Sequence, residues 1–380
     1  MRRQHYIMEG LREALTNACI RGATAANRAL LHAGIEDAVA STPEYTTKPD
    51  SKVADVICET HVRGGAKHFS SSAWLVTEER CQQFGTRRNR LTEFGFASDP
   101  VDGTTPGCNH LVSFSGCRLV RDVITAAESV PRWVSNHGSP ATVTGASISL
   151  CAFQDGRPVA AVIVELISQD LILACELGIR IAHLDLRTAL DRSDEIDLGW
   201  VMQHSHEVEF RPHGWRHPCG ERRQRFVTYL GKPQYTEHLA GTGLLRHTEL
   251  ERFPTTDTPG PPRPLYLSTL HDRQGPACVD FVMSNRERIS EWAPWAAFAS
   301  FARHHGKPIL TCYEVMPPQS ASDSLFQVDE DGITCFNFSR LSALPNPSLY
   351  RVSVLVAPVD NEWLRYAMQC HNYRELRFVA

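Results

Sequence analysis

The chain has 380 residues, 42% hydrophobic and 22% charged, the composition of a soluble globular protein. Its formal net charge of −4 lacks the basic surplus of a protein that binds nucleic acid polymers. The opening MRRQHYIMEGLREAL has no signal-peptide apolar core, and apolar stretches such as 158–167 are too short to span a bilayer and contain Glu165. A cytoplasmic protein with no membrane partner is expected.

In chain order, residues 7–34 read as an amphipathic helix with Leu11, Leu15, Ala18, Ala26 and Leu30 near helical spacing and Gly34 as its stop. The polar turn 46–55 leads into a second helix over 56–67. Residues 73–77 form a short apolar strand that delivers Glu78 and Glu79 at its end, and 94–98 form another that ends at Asp99. Residues 111–140 are less regular and read as an insertion. Strands 146–153 and 158–165 flank Gln154-Asp155-Gly156-Arg157, and an Asp-Gly turn between apolar runs is a hairpin signal. Residues 171–176 extend that antiparallel sheet.

Further on, 205–225 is rich in Arg and His, and the proline density of 253–264 marks an exposed connection. Strands are expected at 265–270, 277–283, 307–313 and 350–357. Helices are expected at 292–305, ending at Gly306, and at 361–371. Hairpins interleaved with helices imply a layered α/β fold rather than a simple doubly wound sheet. We divide it into halves 1–204 and 205–380. The 12 cysteines form no CxxC pair, so most are expected to be buried, reduced thiols.

Residues 98–110, SDPVDGTTPGCNH, carry the chemistry. Close carboxylates suit Mg²⁺, a hard cation that takes oxygen ligands in octahedral geometry. A Gly-Thr turn opening a helix suits a phosphate, because free backbone N–H groups there point at an anion. In a two-metal site one carboxylate bridges both ions and a held water becomes the nucleophile. Asp99 is the candidate bridge and Asp102 the candidate ligand of the second ion. Val101 offers only its main-chain carbonyl. Glu78 is the candidate ligand of the first ion and, with Thr104, orients the attacking water. A plain surface turn is the competing reading of DPVDG, since Asp, Pro and Gly favour turns.

Asp99-Pro100-Val101-Asp102-Gly103-Thr104-Thr105 resembles the signature of the inositol monophosphatase family of Mg²⁺-dependent phosphatases. Weaker resemblances follow in family order: Lys48-Pro49-Asp50-Ser51, Thr77-Glu78-Glu79, the hairpin 145–165 and the terminal 351–363. Together they span roughly residues 11 to 373, with insertions near 111–140, 205–265 and 314–345. The resemblance implies an α-β-α-β-α layered sandwich of the sugar-phosphatase type. It implies hydrolysis of a small phosphorylated metabolite, with Glu78, Asp99, Val101 and Asp102 at Mg²⁺ and Gly103, Thr104 and Thr105 at the phosphate. A homodimer is suggested by the resemblance alone.

The pattern breaks in two places. The family's late helix opens on Trp-Asp-x-Ala-Ala, whereas this chain reads Ser290-Glu291-Trp292-Ala293-Pro294-Trp295-Ala296-Ala297. The expected Asp falls on Ala293 or Pro294, and neither can bind a metal; Glu291 is the nearest candidate replacement. After the DGT, Pro106-Gly107 stands where the family carries Asn-Phe. Three readings stay open: a divergent phosphatase for a small polyol, sugar or nucleotide phosphate; a degenerate member that binds a phosphorylated ligand or a partner; and a member recruited to another metabolic reaction. The basic 211–225 segment reads as a solvated loop, His204 and His206 as chance neighbours on one strand face, and His304-His305 as partners of the late helix's terminal carbonyls.

Overall fold

The computed structural model describes residues 2–34, 73–77, 81–84, 93–102, 116–129, 147–166, 168–208, 227–229, 282–284, 287–315, 324–352, 354–359 and 373–378. The expected helices 56–67 and 361–371 and strand 265–270 lie outside these residues, as does the basic segment 211–225.

Up to residue 207 the chain runs α1 (Arg2–Leu31), β1 (Ala73–Thr77), β2 (Cys81–Phe84), β3 (Phe94–Asp102), α2 (Val120–Ser129), β4 (Ser147–Gln154), β5 (Arg157–Glu165), β6 (Asp170–Cys175), β7 (Gly178–His183), α3 (Leu186–Asp191), α4 (Leu198–His204) and β8 (Ser205–Glu207). These strands form one eight-stranded sheet in the order β2-β1-β3-β4-β5-β6-β7-β8, which takes in three residues beyond the 204/205 division. Only β1 and β3 pair parallel; every other neighbour is antiparallel. The second half runs β9 (Val227–Tyr229), β10 (Val282–Ser284), β11 (Glu287–Arg288), α5 (Ile289–Phe301), β12 (Arg303–His304), β13 (Lys307–Pro308), β14 (Leu310–Val315), β15 (Phe326–Val328), β16 (Thr334–Phe336), α6 (Phe338–Ser342), β17 (Arg351–Val352), β18 (Val354–Pro358) and β19 (Tyr373–Leu376). Here β19-β14-β18-β10-β9 form a five-stranded sheet, with short pairs β11·β17, β12·β13 and β15·β16 beside it.

Alternation along the large sheet builds two cores. Ala73, Leu75, Phe94, Phe96, Ile148, Leu150, Ala160, Val162 and Val164 point to one face, where they meet α1 and α2. The stripe Leu15, Cys19, Ala23, Ala26 and Leu30 repeats at helical spacing and is buried there. The other face carries Trp74, Val76, Ala97, Cys151, Phe153, Ala161 and Ile163, packed with α5 and with Cys312, Val354 and Val356 of the smaller sheet. Every α5 residue whose burial is described is buried, as a helix between two sheets requires. The described layers are therefore helix, sheet, helix, sheet. No described helix is long and apolar enough to cross a membrane.

The sequence expectations shift at several points. The first helix begins at Arg2 rather than at residue 7. The supposed insertion 111–140 contains α2, whose Val120, Val123 and Ile124 are buried against the sheet. The late helix ends at Phe301, not His305, because the chain turns back into the β12·β13 hairpin through His305 (φ 49°) and Gly306 (φ 77°). His304 pairs with Lys307 in that hairpin instead of capping the helix. His204 ends α4, its Nδ1 2.8 Å from the Trp200 carbonyl, while His206 lies in β8, so the two do not share a strand. The described cysteines are free, and Cys19, Cys151, Cys175 and Cys312 are buried. Burial pushes the Cys175 thiol up to about 11 and that of Cys312 to about 12, so both stay protonated at neutral pH.

The Asp155-Gly156 turn has both central residues at positive φ, 50° and 74°, as a type I′ hairpin requires. Its Gly156 carbonyl accepts from Phe336 N–H at 2.8 Å. A Cβ at residue 156 would meet the Phe336 carbonyl oxygen at 2.3 Å and its nitrogen at 2.6 Å. Gly156→Ala is therefore expected to cost about 2–3 kcal/mol through overpacking; a urea midpoint equal to that of the wild type would refute this close approach.

Candidate metal centre

The candidate centre begins with an irregularity in β3. On β4 it pairs Asp99 with Ser149 and Asp102 with Ser147, so three steps on one strand match two on the other. This is the two-against-one geometry of a β-bulge. Pro100, which has no N–H for the ladder, sits inside it, where proline is tolerated in a sheet. The consequence follows from alternation: Ser147 and Ser149 belong to one face, and the bulge sets Asp99 and Asp102 at positions opposite both. That face is the one that carries Cys151 and Phe153 against α5.

Strand direction gathers more polar residues at the same end. β1 runs parallel to β3, and β5 and β7 run in that direction too, each separated from the last by one antiparallel strand. The C-terminal ends of β1, β3, β5 and β7 therefore share one sheet edge. Glu78 follows directly on β1. Glu165 ends β5 opposite Ser147. Asp170 begins β6 opposite His183, and the His183 Nδ1 lies 3.1 Å from its Oδ1. Alternation places Asp99, Ser147, Ser149, Glu165, Asp170 and His183 on the face toward α5.

Most of this row is buried. Asp99 is 2% exposed, Ser147 and Ser149 1% each, and Glu165 and Asp170 6% each. Among the described residues the hydroxyls of Ser147 and Ser149 have no hydrogen-bond partner. A buried hydroxyl left unpaired costs about 1–3 kcal/mol, so two beside a carboxylate mark a place built to face something else. Apart from the His183 ring, the side chains of this row offer oxygens, the ligand atoms a hard divalent cation such as Mg²⁺ takes.

The turn after β5 is pinned from below. Asn27 of α1 donates to the Gln169 Oε1 at 2.7 Å, and Gln169 returns a bond to the Asn27 Oδ1 at 3.2 Å. Gln169 also donates to the Leu166 carbonyl at 2.7 Å while holding φ at 53°. Ser168 donates to the Glu165 Oε2 at 2.7 Å. Glu165 is thus held at the row by a reciprocal amide pair buried under the sheet. In the sequence Glu165 ends the expected 158–165 strand and carries no ligand role; its alternation with Ile163 and Ala161 is the signal that sets it on the Asp99 face.

Of the expected site residues, Asp99 is fully described. The backbones of Val101 and Asp102 lie in β3 and that of Glu291 in α5, but their side chains fall outside the described residues. Glu78, Gly103, Thr104 and Thr105 also lie outside them. Ala293 is fully buried in the apolar cluster with Trp292, Ala296 and Ala297, and Pro294 lies inside the helix. Where the family signature carries a late-helix carboxylate, this structure has an apolar wall. Among the described residues no three His, Cys, Asp or Glu side chains gather closely enough to hold a metal ion.

No protein-family model matches the chain, and no curated protein matches its sequence. Among solved structures it is similar to CysQ from Bacteroides thetaiotaomicron, a bacterial member of the inositol monophosphatase family, at 13% identity and a TM-score of 0.46, over 92% of this chain and 98% of that one. It is similar to the extragenic suppressor protein suhB from Bartonella henselae at 14% identity and a TM-score of 0.45, over 93% and 96% of the two chains. SuhB of Mycobacterium tuberculosis follows at 15% identity and 0.41, over 97% of each. At such scores the reading of the site rests on its residues.

The unpaired hydroxyls give a direct check. In metal-free protein, Ser149→Ala removes a buried group that has no partner, so it should leave stability unchanged or raise it by up to about 1 kcal/mol. Thermal unfolding with chelator present tests this; a loss of 1 kcal/mol or more would mean that the hydroxyl is satisfied within the fold.

Proposed function

We propose that the chain is a divergent member of the inositol monophosphatase family, a cytoplasmic Mg²⁺-dependent phosphomonoesterase acting on a small polyol, sugar or nucleotide phosphate. The observation that carries the reading is the bulged end of β3. It pairs Asp99 with Ser149 and Asp102 with Ser147 on β4, and the two serine hydroxyls are buried with no partner among the described residues. A surface turn, the competing reading of this segment, would not bury Asp99 to 2% exposure.

In this reading Asp99, Asp102, Glu78 and the Val101 carbonyl hold Mg²⁺, which supplies charge neutralisation and lowers the pKa of a bound water. Asp99 is the residue whose carboxylate would serve both cations. Glu78 and the Thr104 hydroxyl accept and orient the protons of the attacking water, so that its lone pair faces phosphorus in line with the leaving oxygen. Gly103, Thr104 and Thr105 would offer their backbone N–H groups to the phosphate oxygens, as at a helix N-terminus. As the ester P–O bond breaks, the proton given up by the attacking water passes through solvent to the leaving alkoxide, and alcohol and inorganic phosphate result. Phosphoryl transfer needs little beyond such positioning and charge compensation. The apolar wall at Ala293 supports a second reading, a member that binds a phosphorylated ligand or partner without turnover.

Phosphate release from a panel of sugar, polyol and nucleotide monophosphates, with and without Mg²⁺, separates the two. The enzyme reading expects Mg²⁺-dependent turnover that Asp99→Asn lowers by more than about a hundredfold, since a ligand carboxylate supplies several kcal/mol of charge stabilisation. Binding of a panel member without turnover would favour the second reading.

A further inference from the structure

We infer that Glu165 supplies the carboxylate that the late helix lacks, holding a cation together with Asp102 above Ser147. The inference rests on the functional reading above and deepens it. The ladder sets Asp102, Ser147 and Glu165 on one row across β3, β4 and β5. Ser147 in the middle is 1% exposed, and its hydroxyl has no partner among the described residues. An unpaired oxygen with a carboxylate position on either side is a built oxygen site rather than an acidic cluster alone.

The reach fits. Strands lie about 4.8 Å apart, so Cα atoms two strands apart are about 10 Å apart. With bonds near 1.5 Å, a carboxylate oxygen extends about 3 Å from the Cα of Asp and about 4–5 Å from that of Glu. A cation at about 2.1 Å from each oxygen spans what is left, with slack for the side chains to bend. An aspartate at 165 would reach only in a fully straight arrangement. Glu165 is also fixed in place: Ser168 holds its Oε2, and the Asn27–Gln169 pair holds its turn. Glu291 must compete from a helix whose described residues are apolar apart from Ser290 and Ser300.

Mn²⁺ binding, followed by calorimetry and by the electron paramagnetic resonance of free Mn²⁺, tests the assignment on the full chain. The wild type is expected to bind two ions. In Glu165→Gln the weaker site should lose about tenfold or more in affinity while the tighter one stays, and Glu291→Gln should match the wild type. Without metal, Glu165→Gln should melt no lower than the wild type, because it relieves repulsion among the carboxylates; a purely structural Glu165 would lower that melting point instead. If Glu165→Gln does not fold, Glu165→Asp is read in its place, with the same loss expected from its shorter reach. Two ions bound equally by the wild type and the Glu165 variant, or a loss in Glu291→Gln, overturns the assignment and leaves the functional reading standing. A wild type that binds one ion unaffected by Glu165 also overturns it. A wild type that binds no ion overturns the functional reading itself.

Discussion

Side chains alternate across a strand, so two aspartates three residues apart in a regular β3 would point to opposite faces. The extra residue between Asp99 and Asp102 removes that conflict, and the rest of the candidate centre depends on it. With the bulge, both positions stand opposite serines of one β4 face. Pro100 fits where the ladder is interrupted. The register before the bulge stays regular, from Phe94 opposite Gln154 to Asp99 opposite Ser149, so the hydrophobic face below the site is undisturbed.

Such a site is costly before anything binds. Carboxylates buried at one sheet edge repel each other, and unpaired hydroxyls beside them forgo hydrogen bonds to water. The surrounding fold offsets this cost with apolar packing. Phe153, Phe336 and Phe338 meet with ring centroids 4.9–6.2 Å apart at the other end of the hairpin. Trp292 packs against Phe326 at 4.9 Å. In the outer layer, Arg374 donates to Glu314, to the Ser324 hydroxyl and to the Phe326 carbonyl, tying the chain before β15 onto the smaller sheet. The same packing explains the missing carboxylate: α5 is apolar around Ala293 because it is pressed between two sheets, and a charge there would need a cation to stay.

Much of the architecture was legible in the sequence because it is written in short-range patterns. The Asp-Gly turn gave the β4·β5 hairpin to within one residue at each strand, and the apolar runs gave β1, β5 and β6. The stripe from Leu11 to Leu30 gave α1, though not its five extra N-terminal residues, which carry no strong periodic signal. What escaped depends on long-range packing. The α2 helix was hidden in an irregular stretch whose few apolar residues become meaningful only against α1 and the sheet. Strands β7 and β8 complete a sheet whose size no local pattern announces. Asp99 was visible from its motif, whereas Glu165, 66 positions later by the numbering, joins it only through the register of β4. The pairing of Ser147 and Ser149 with the two aspartates had no local signal at all, since it is a property of the bulge.

The bulge is proposed to assemble a cation site on the α5 face of β3. Anomalous diffraction from crystals grown with Mn²⁺ addresses it directly. The predicted result is an anomalous peak within about 2.2 Å of an Asp99 carboxylate oxygen, on the side of Ser149. Crystals in millimolar Mn²⁺ with no peak there, and with the Asp99 carboxylate hydrogen-bonded entirely within the protein, would contradict the claim.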